Sequence, residues 1–276
     1  MLSWFLFMIL ADLHIHSKYS SQMLYFYDNE IMKLLKNIYP KNIFPEKIIV
    51  DIWKKSLLWK IFKISDSLSD PQDILRKAAE QGLKVISVTD HNTLLGSWEA
   101  KKYARKFGIT VISGMEISTS DGEILGYGLK EKIPAMLSAE EAIKAIHKQG
   151  AVAVAAHPYN RRPVRREFRS LRKKKISTLS LDGLEVVNCL TGRISKRFLK
   201  LGREKKLALL SNSDSHDLVM IGTIKTGFPD GCKKETDFLE AIRKRLTIPL
   251  KGKPKIFKAG LKLFWYSTFA RKKIRF

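Results

Sequence analysis

Two histidines near the start of the chain, His14 and His16, are spaced as ligands for one metal ion. They close an apolar run, Phe5 to Ala11, whose composition predicts a buried strand. Because alternate residues of a strand point to the same face, both imidazoles can meet at one point at its carboxyl end. Such a pair also arises by chance, so it needs support from the rest of the chain.

That support is recurrence, because four later apolar segments also end in histidine or a carboxylate. They end in Asp90-His91, Glu116, His157 and Asp214-Ser215-His216. Five of the six histidines therefore lie at predicted strand ends. Imidazoles and carboxylates without thiolates favour zinc, manganese or iron, and they are too many for one ion. We expect two or three divalent ions, with Glu116 as the carboxylate shared between them.

This donor set predicts a catalytic centre for phosphoester hydrolysis. Water between the ions would become a metal-activated hydroxide, and the cations would neutralise phosphoryl oxygens. His216 or His91 would assist the leaving group where metal binding leaves them free. The chain has no GxSxG, P-loop or GxGxxG sequence to support another chemistry. Cys189 and Cys232 form no CxxC pair, which argues against a thiolate zinc site and a disulfide framework and favours the cytoplasm.

The chain is strongly basic, with 51 Lys and Arg against 27 Asp and Glu and a formal net charge of +24. Such a surface favours nucleic acid, phosphorylated small molecules or anionic membrane as partners, although a basic source proteome would give the same excess. Residues 161–175 hold nine basic residues and one acid, just beyond His157. The candidates to bind substrate phosphate there are Arg161, Arg162, Arg165 and Arg166.

Apolar strands alternate with amphipathic helices along most of the chain, which predicts one α/β domain over residues 1–276 with a parallel barrel. Asp70-Pro71 predicts the start of a helix. A continuous strand is predicted over residues 109–117. Asp121-Gly122 then predicts a hairpin turn into the next strand.

Two segments depart from this alternation. Residues 22–65 combine aromatic side chains, lysines and helical apolar spacing, which predicts an inserted helical hairpin. It could pack on its own protein, bind a partner or lie on a membrane surface. Residues 251–276 form a basic tail that could contact nucleic acid or membrane, or close the barrel. The run Leu2 to Ala11 is much shorter than the roughly 20 residues of a membrane span, so we expect a first strand with a short apolar leader.

Five motifs in this order resemble the PHP family, named for polymerase and histidinol phosphatase. The resemblance covers residues 10–225 apart from the insertion. It implies a distorted seven-stranded β/α barrel with a trinuclear metal centre that hydrolyses phosphoesters. The motifs are Asp12-Leu13-His14-Ile15-His16-Ser17, Thr89-Asp90-His91-Asn92-Thr93, Gly114-Met115-Glu116-Ile117-Ser118, Ala156-His157-Pro158 and Ser213-Asp214-Ser215-His216.

The resemblance also implies roles for single residues. The first ion would be held by His14, His16, Glu116 and Asp214, the second by Glu116 and His157, and the third by His91 and His216. Catalysis would fall to Glu116, Asp214, His216 and His91. Asp90 would orient its neighbour without binding metal, and Asp12 and Asn188 would support the ligands in the same way.

Two positions depart from the family pattern. Family members typically have a further ligand a few residues after the first motif, and here Ser65-Asp66-Ser67 follows only after the insertion. Asp66 supplies this ligand if residues 22–65 loop out; otherwise the third ion is weakly held. Similar sequences usually have a histidine where this chain has Glu123. A carboxylate there could still bind metal with altered preference, or it could be an exposed hairpin glutamate.

The leading functional hypothesis is a metal-dependent phosphoesterase similar to small stand-alone PHP proteins that act on nucleotides or short oligonucleotides. A phosphatase of histidinol phosphate or another small molecule is the second, although the basic charge argues against a cationic substrate. The third is a nucleic-acid-binding scaffold whose site the insertion has compromised. It predicts salt-dependent binding without cleavage.

Overall fold

The computed structural model describes residues 8–20, 67–158, 170–187 and 189–254. Several predictions from the sequence lie outside the described residues. These concern the insertion at 22–65, most of the tail at 251–276, Asp66, Arg161, Arg162, Arg165, Arg166 and Asn188.

Ten strands in the described ranges form two five-stranded mixed sheets. The first sheet holds β1 (Ile9–Ile15), β2 (Val85–Val88), β3 (Thr110–Val111), β9 (Thr226–Phe228) and β10 (Ile248–Pro249). Its order is β10-β9-β1-β2-β3, with β1, β2 and β3 parallel and β9 antiparallel to β1 and β10. The second sheet holds β4 (Gly114–Thr119), β5 (Gly122–Tyr127), β6 (Val152–Ala155), β7 (Gly183–Glu185) and β8 (Ala208–Leu210) in sequence order. There β4, β5 and β6 are antiparallel, and β6, β7 and β8 are parallel.

The helices lie mostly in the connections between strands. They are α1 (Pro71–Glu80), α2 (Leu95–Tyr103), α3 (Ala139–Lys148), α4 (Lys173–Ile176), α5 (Lys196–Glu204) and α6 (Glu235–Arg243), with a 3₁₀ turn at Ala104–Phe107. The predicted start of α1 is confirmed, because the Asp70 side chain accepts a hydrogen bond from the backbone N–H of Gln72 (2.9 Å). None of the described helices is long and apolar enough to cross a bilayer.

The predicted continuous strand at 109–117 is wrong, because it is two strands in different sheets. The break lies at Ser113, whose carbonyl accepts from the N–H of Gly128 (2.7 Å) and whose own N–H donates to Glu235 Oε1 (2.7 Å). Because of these bonds, the backbone of Ser113 takes part in the strand pairing of neither sheet. As a result β3 ends the first sheet and β4 begins the second, while the predicted hairpin at Asp121-Gly122 is confirmed between β4 and β5.

The α/β class is confirmed, but no closed seven-stranded barrel is found among the described residues. A closed barrel would require β8 to pair with β1. The antiparallel β9 pairs with β1 at Ile9, Leu10 and Ala11 instead, so that edge of β1 is not available to β8. Beyond that cover, single bridges join the two sheets at Ile15–Ser215 and His91–Glu116. Both bridges lie at the carboxyl ends of β1 and β2, where the predicted metal ligands lie.

Candidate metal centre

Eight of the nine predicted metal ligands come together at this junction of the two sheets. They form four overlapping groups of three whose ligand atoms lie within 4.8 Å of one another. The first sheet supplies three histidines, and the second sheet and the segment after β8 supply the rest. The eight are His14, His16, His91, Glu116, Glu123, His157, Asp214 and His216. The ninth, Asp66, lies outside the described residues.

Glu116 lies at the centre of the cluster and contacts four histidines. Its Oε2 is 3.2 Å from His14 Nε2, 3.4 Å from His16 Nε2 and 3.2 Å from His91 Nδ1, and its Oε1 is 3.0 Å from His157 Nε2. Burial opposes ionisation of Glu116, but the positive charges of His14 and His91 outweigh it and hold its pKa well below its usual range. The two oxygens of one carboxylate therefore face different ligand groups, as a bridge between two ions requires.

Glu123 is buried beside Glu116, so the alternative of an exposed hairpin residue is wrong. Its Oε1 lies 3.7 Å from His91 Nδ1 and its Oε2 lies 3.6 Å from His157 Nε2. Burial, and then the charge of Glu116, raise the pKa of Glu123 to about 7. In the described part of the chain, Oε1 has no hydrogen-bond partner. A buried oxygen in this state is costly unless a cation or donor meets it.

His16 gives the most direct indication that the cluster fits cations. Burial, and then the neighbouring His216, lower the pKa of His16 to about 4, so its ring is neutral near pH 7. Nδ1 lies 3.1 Å from Ser20 Oγ, and in the tautomer that carries its proton on Nδ1 the other nitrogen, Nε2, presents a lone pair. This Nε2 lies 3.4 Å from both Glu116 Oε2 and Asp214 Oδ1, and it has no hydrogen-bond partner among the described residues. A lone pair facing two carboxylate oxygens suits a divalent ion between them.

The protonation of His157 and Asp214 is also determined by burial and by the neighbouring charges. Burial would lower the pKa of His157, but its hydrogen bond to Glu116 and the surrounding carboxylates raise it to about 10. Burial would raise the pKa of Asp214, but the charge of His14 holds it well below its usual value. Protons on histidine therefore neutralise the buried carboxylates. Divalent ions would replace those protons, and the nitrogen and oxygen donors fit zinc, manganese or iron.

Glu185 supports the ligands at a strand end where that role was predicted for Asn188. Its Oε1 contacts His14 Nδ1 (3.2 Å) and accepts from Asn212 Nδ2 (2.8 Å), while its Oε2 accepts from the backbone N–H of His157 (2.6 Å). It thereby fixes the ring of one ligand and the backbone of another. The sequence places both Glu185 and Asn188 near the end of β7, but the supporting role was predicted only for Asn188, which lies outside the described residues.

Asp12 and Asp90 each hold a serine that is adjacent to a ligand. Asp12 accepts from Ser213 N (3.0 Å) and Oγ (2.6 Å), and Ser213 precedes Asp214. Asp90 accepts from Ser17 N (2.6 Å) and Oγ (2.6 Å), and Ser17 follows His16. Burial raises the pKa of Asp12 to about 6, which hydrogen bonds from Ser213 partly offset. The geometry agrees with a supporting role for both, with Asp90 acting on the strand next to its own.

The backbone at two of the ligands is in an uncommon conformation. Asp214 has φ 51° and His157 has φ 21°, within the left-handed region that side chains other than glycine rarely adopt. Such conformations persist only where the surroundings enforce them, and they concentrate at functional sites. The hydrogen bond that the backbone N–H of His157 donates to Glu185, and the anchoring of Ser213 beside Asp214, provide that enforcement.

Two curated proteins illustrate the sequence relatives. An uncharacterized protein of Methanocaldococcus jannaschii is 38% identical over 178 residues, which cover 64% of this chain and 81% of that protein. A 5'-3' exoribonuclease of Haemophilus influenzae is 33% identical over 94 residues, which cover 33% of this chain and 34% of the exoribonuclease.

Two solved structures share the fold. A two-domain protein of Bacteroides vulgatus that contains a predicted PHP-like metal-dependent phosphoesterase matches with a TM-score of 0.62 and 18% identity, covering 89% of this chain and 65% of that one. Endonuclease Q, in complex with a 27-mer duplex bearing an abasic lesion, matches with a TM-score of 0.54 and 17% identity, covering 86% of this chain and 57% of its own.

The family assignment depends on the sequence rather than on these distant structures. Members of the PHP family are hydrolases that act on phosphoester bonds with divalent metals. The PHP domain model matches residues 61–227, which is more than half of the chain, and the chain therefore belongs to the PHP domain family.

Proposed function

We propose that this protein is a metal-dependent phosphoesterase acting on nucleotides or short oligonucleotides. The observation that carries the proposal is the position of Glu116, a fully buried carboxylate within 3.4 Å of four histidine nitrogens. Such a cluster is unfavourable in an ordinary protein core, because each buried titratable group adds a desolvation cost to folding.

Two or three divalent ions would be shared among the eight clustered ligands, with Glu116 bridging. The candidate ligand groups overlap, and they are His14–His16–Glu116, His14–His157–Asp214, His16–His91–His216 and His91–Glu116–Glu123. Ions bound there would supply an acidified water as nucleophile and neutralise the charge of the phosphoryl group. The protein fixes the ligands through Glu185, Ser20 and the two aspartate–serine pairs.

We propose that the exposed residues of the centre meet the substrate. The side chain of His216 is 31% exposed and that of Asp214 is 17% exposed, whereas His91 is 2% exposed. Its exposure favours His216 over His91 as the group that passes a proton to the leaving oxygen. His216 Nδ1 lies 3.2 Å from the backbone carbonyl of Asp214, which restrains the ring at this opening.

The charge of the chain and one relative support a polyanionic substrate. The net charge of +24 attracts phosphates over distance. The match to the Haemophilus influenzae exoribonuclease supports RNA-like substrates over small uncharged esters. The arginines at 161, 162, 165 and 166 are proposed as phosphate contacts on sequence grounds, since they lie outside the described residues.

The test is turnover by the full chain after loading with manganese, zinc or iron(II) in separate preparations. Each preparation is assayed on an aryl phosphate, histidinol phosphate, a nucleoside bisphosphate and a short single-stranded RNA, beside a His14→Ala, His16→Ala double variant. We expect metal-stimulated cleavage of the nucleotide or RNA, together with loss of bound ions and of turnover in the variant.

Three results would contradict the proposal. If protein with two or more bound ions cleaves none of these substrates, the proposed phosphoesterase activity is wrong. Preference for histidinol phosphate would move the protein to the small-molecule phosphatases. Tight, salt-dependent RNA binding without cleavage would favour a scaffold. Circular dichroism of the double variant checks that it remains folded.

A further inference from the structure

Cys189 lies on a short loop between β7 and α5 that two contacts hold in place. Val187 pairs with Ile194 as an antiparallel bridge at the base of the loop. At its tip, the carbonyl of Gly192 accepts from the N–H of Gly252 (3.0 Å). Gly192 has φ 66°, and a side chain there would collide with the Gly252 backbone. The position of Cys189 is therefore set by the fold on both sides.

The thiol of Cys189 reaches the open side of the candidate metal centre. Its Sγ lies 3.6 Å from Asp214 Oδ2, within the range of a hydrogen bond that sulfur donates. The other carboxylate oxygen, Oδ1, lies 3.4 Å from both His14 Nε2 and His16 Nε2. Cys189 therefore contacts one oxygen of Asp214 while the opposite oxygen faces the histidines.

A second observation shows that a ligand belongs at this position. His16 Nε2 is fully buried, points at Asp214 Oδ1 and has no hydrogen-bond partner among the described residues. A cation between His16 and Asp214 would satisfy that nitrogen. The rotation of the Asp214 carboxylate then decides whether Oδ1 can bind the ion, and Cys189 is the side chain on its other oxygen.

We propose that Cys189 is a positioning residue for the metal ligand Asp214. The inference rests on the proposed metal centre. Cys189 donates to Oδ2, and this contact holds Oδ1 toward an ion beside His14 and His16.

The test measures the manganese affinity of the full chain and of cysteine variants by titration calorimetry. Cys232 is also partly buried and lies 4.0 Å from the carbonyl of Asp237, so it is the matched control.

Variants separate the thiol's role from a general effect on folding. Cys189→Ala should weaken manganese affinity about tenfold, since supporting partners of metal ligands contribute 10- to 100-fold. Cys189→Ser keeps a donor and should restore most of that affinity, whereas Cys232→Ser should match the wild type.

The outcomes are distinguishable from failure of the proposed function. Wild-type protein that binds no metal after loading would overturn the metal centre itself. Wild-type protein that binds manganese, together with an alanine variant of unchanged affinity or a serine variant that restores nothing, would overturn only the role of Cys189.

Discussion

The candidate metal centre has a closed side and an open side. On the closed side, Glu116, Glu123 and Glu185 are almost fully buried, and Glu116 and Glu185 contact several donors each. On the open side, Asp214 and His216 are partly exposed, and a single thiol contacts Asp214. The difference suggests that closed-side residues only hold ions, whereas open-side residues can both hold ions and meet the substrate. Substitutions on the closed side should act mainly on metal binding, and substitution of the exposed His216 should act mainly on turnover.

The largest effect is expected at Glu116, where Glu116→Gln should sharpen this comparison. An amide cannot serve two cations as a carboxylate does, so we expect loss of bound ions and a fall in kcat/KM of more than about 100-fold. Elemental analysis and steady-state kinetics measure the two effects. The matched control is Glu131→Gln on the surface, which should change neither. A Glu116→Gln variant that keeps its full ion content would show that this carboxylate is not the bridge.

His216→Ala should affect turnover more than metal content, because the ring lies on the open side. We expect kcat to fall about 100-fold or more, the range of general acid–base catalysis, while most ions stay bound. His147→Ala is the control, since that ring pairs with Asp182 (2.8 Å) away from the centre. If His216→Ala instead loses its ions as completely as Glu116→Gln, the two sides do not differ in role.

Glu185→Gln should weaken metal binding without abolishing it. The change removes the charge that pairs with His14 Nδ1, and we expect a 10- to 100-fold rise in the dissociation constant of manganese. Activity should return at saturating manganese, because no direct ligand is lost. Titration calorimetry and activity against metal concentration test this, and activity that excess metal fails to restore would place Glu185 among the catalytic groups.

Gly96→Ala should give the smallest effect, on stability rather than chemistry. A Cβ at Gly96 in α2 would collide with the Asp90 carboxylate and the Ser17 hydroxyl, whose pairing holds the end of β1. We expect a loss of about 1–3 kcal/mol in unfolding free energy, as for other overpacked sites. Urea denaturation measures it. In Gly202→Ala the new Cβ meets the flexible end of Leu209 and should cost less; an equal loss would mean that the Asp90–Ser17 pair is not special.

Much of the candidate centre could be predicted because ligand residues follow apolar runs. The rule that side chains meet at the carboxyl ends of parallel strands placed His14, His91 and His157 together without knowledge of strand order. Glu123 required more, since its antiparallel hairpin could have left it exposed. The sequence placed both Glu185 and Asn188 near one strand end and could not choose between them, because the strand there is only three residues long and its end is not marked in the sequence.

The arrangement of the sheets was harder to predict than the ligands. Hydrophobic alternation identifies a strand but not its partner, so the run 109–117 gave no sign that Ser113 divides two sheets. The cover of β1 by β9 depends on contacts 217 residues apart, between Leu10 and Gly227. Those are tertiary contacts that no local pattern records.

The two bridges between the sheets, at Ile15–Ser215 and His91–Glu116, lie at the same end as the clustered ligands. Ions bound between histidines of the first sheet and carboxylates of the second would act as a cross-brace over that seam. Separating the sheets would then require release of the ions, so the free energy of separation would grow with the logarithm of metal concentration. The same ions that promote phosphoester hydrolysis would thus also stabilise the contact between the two sheets.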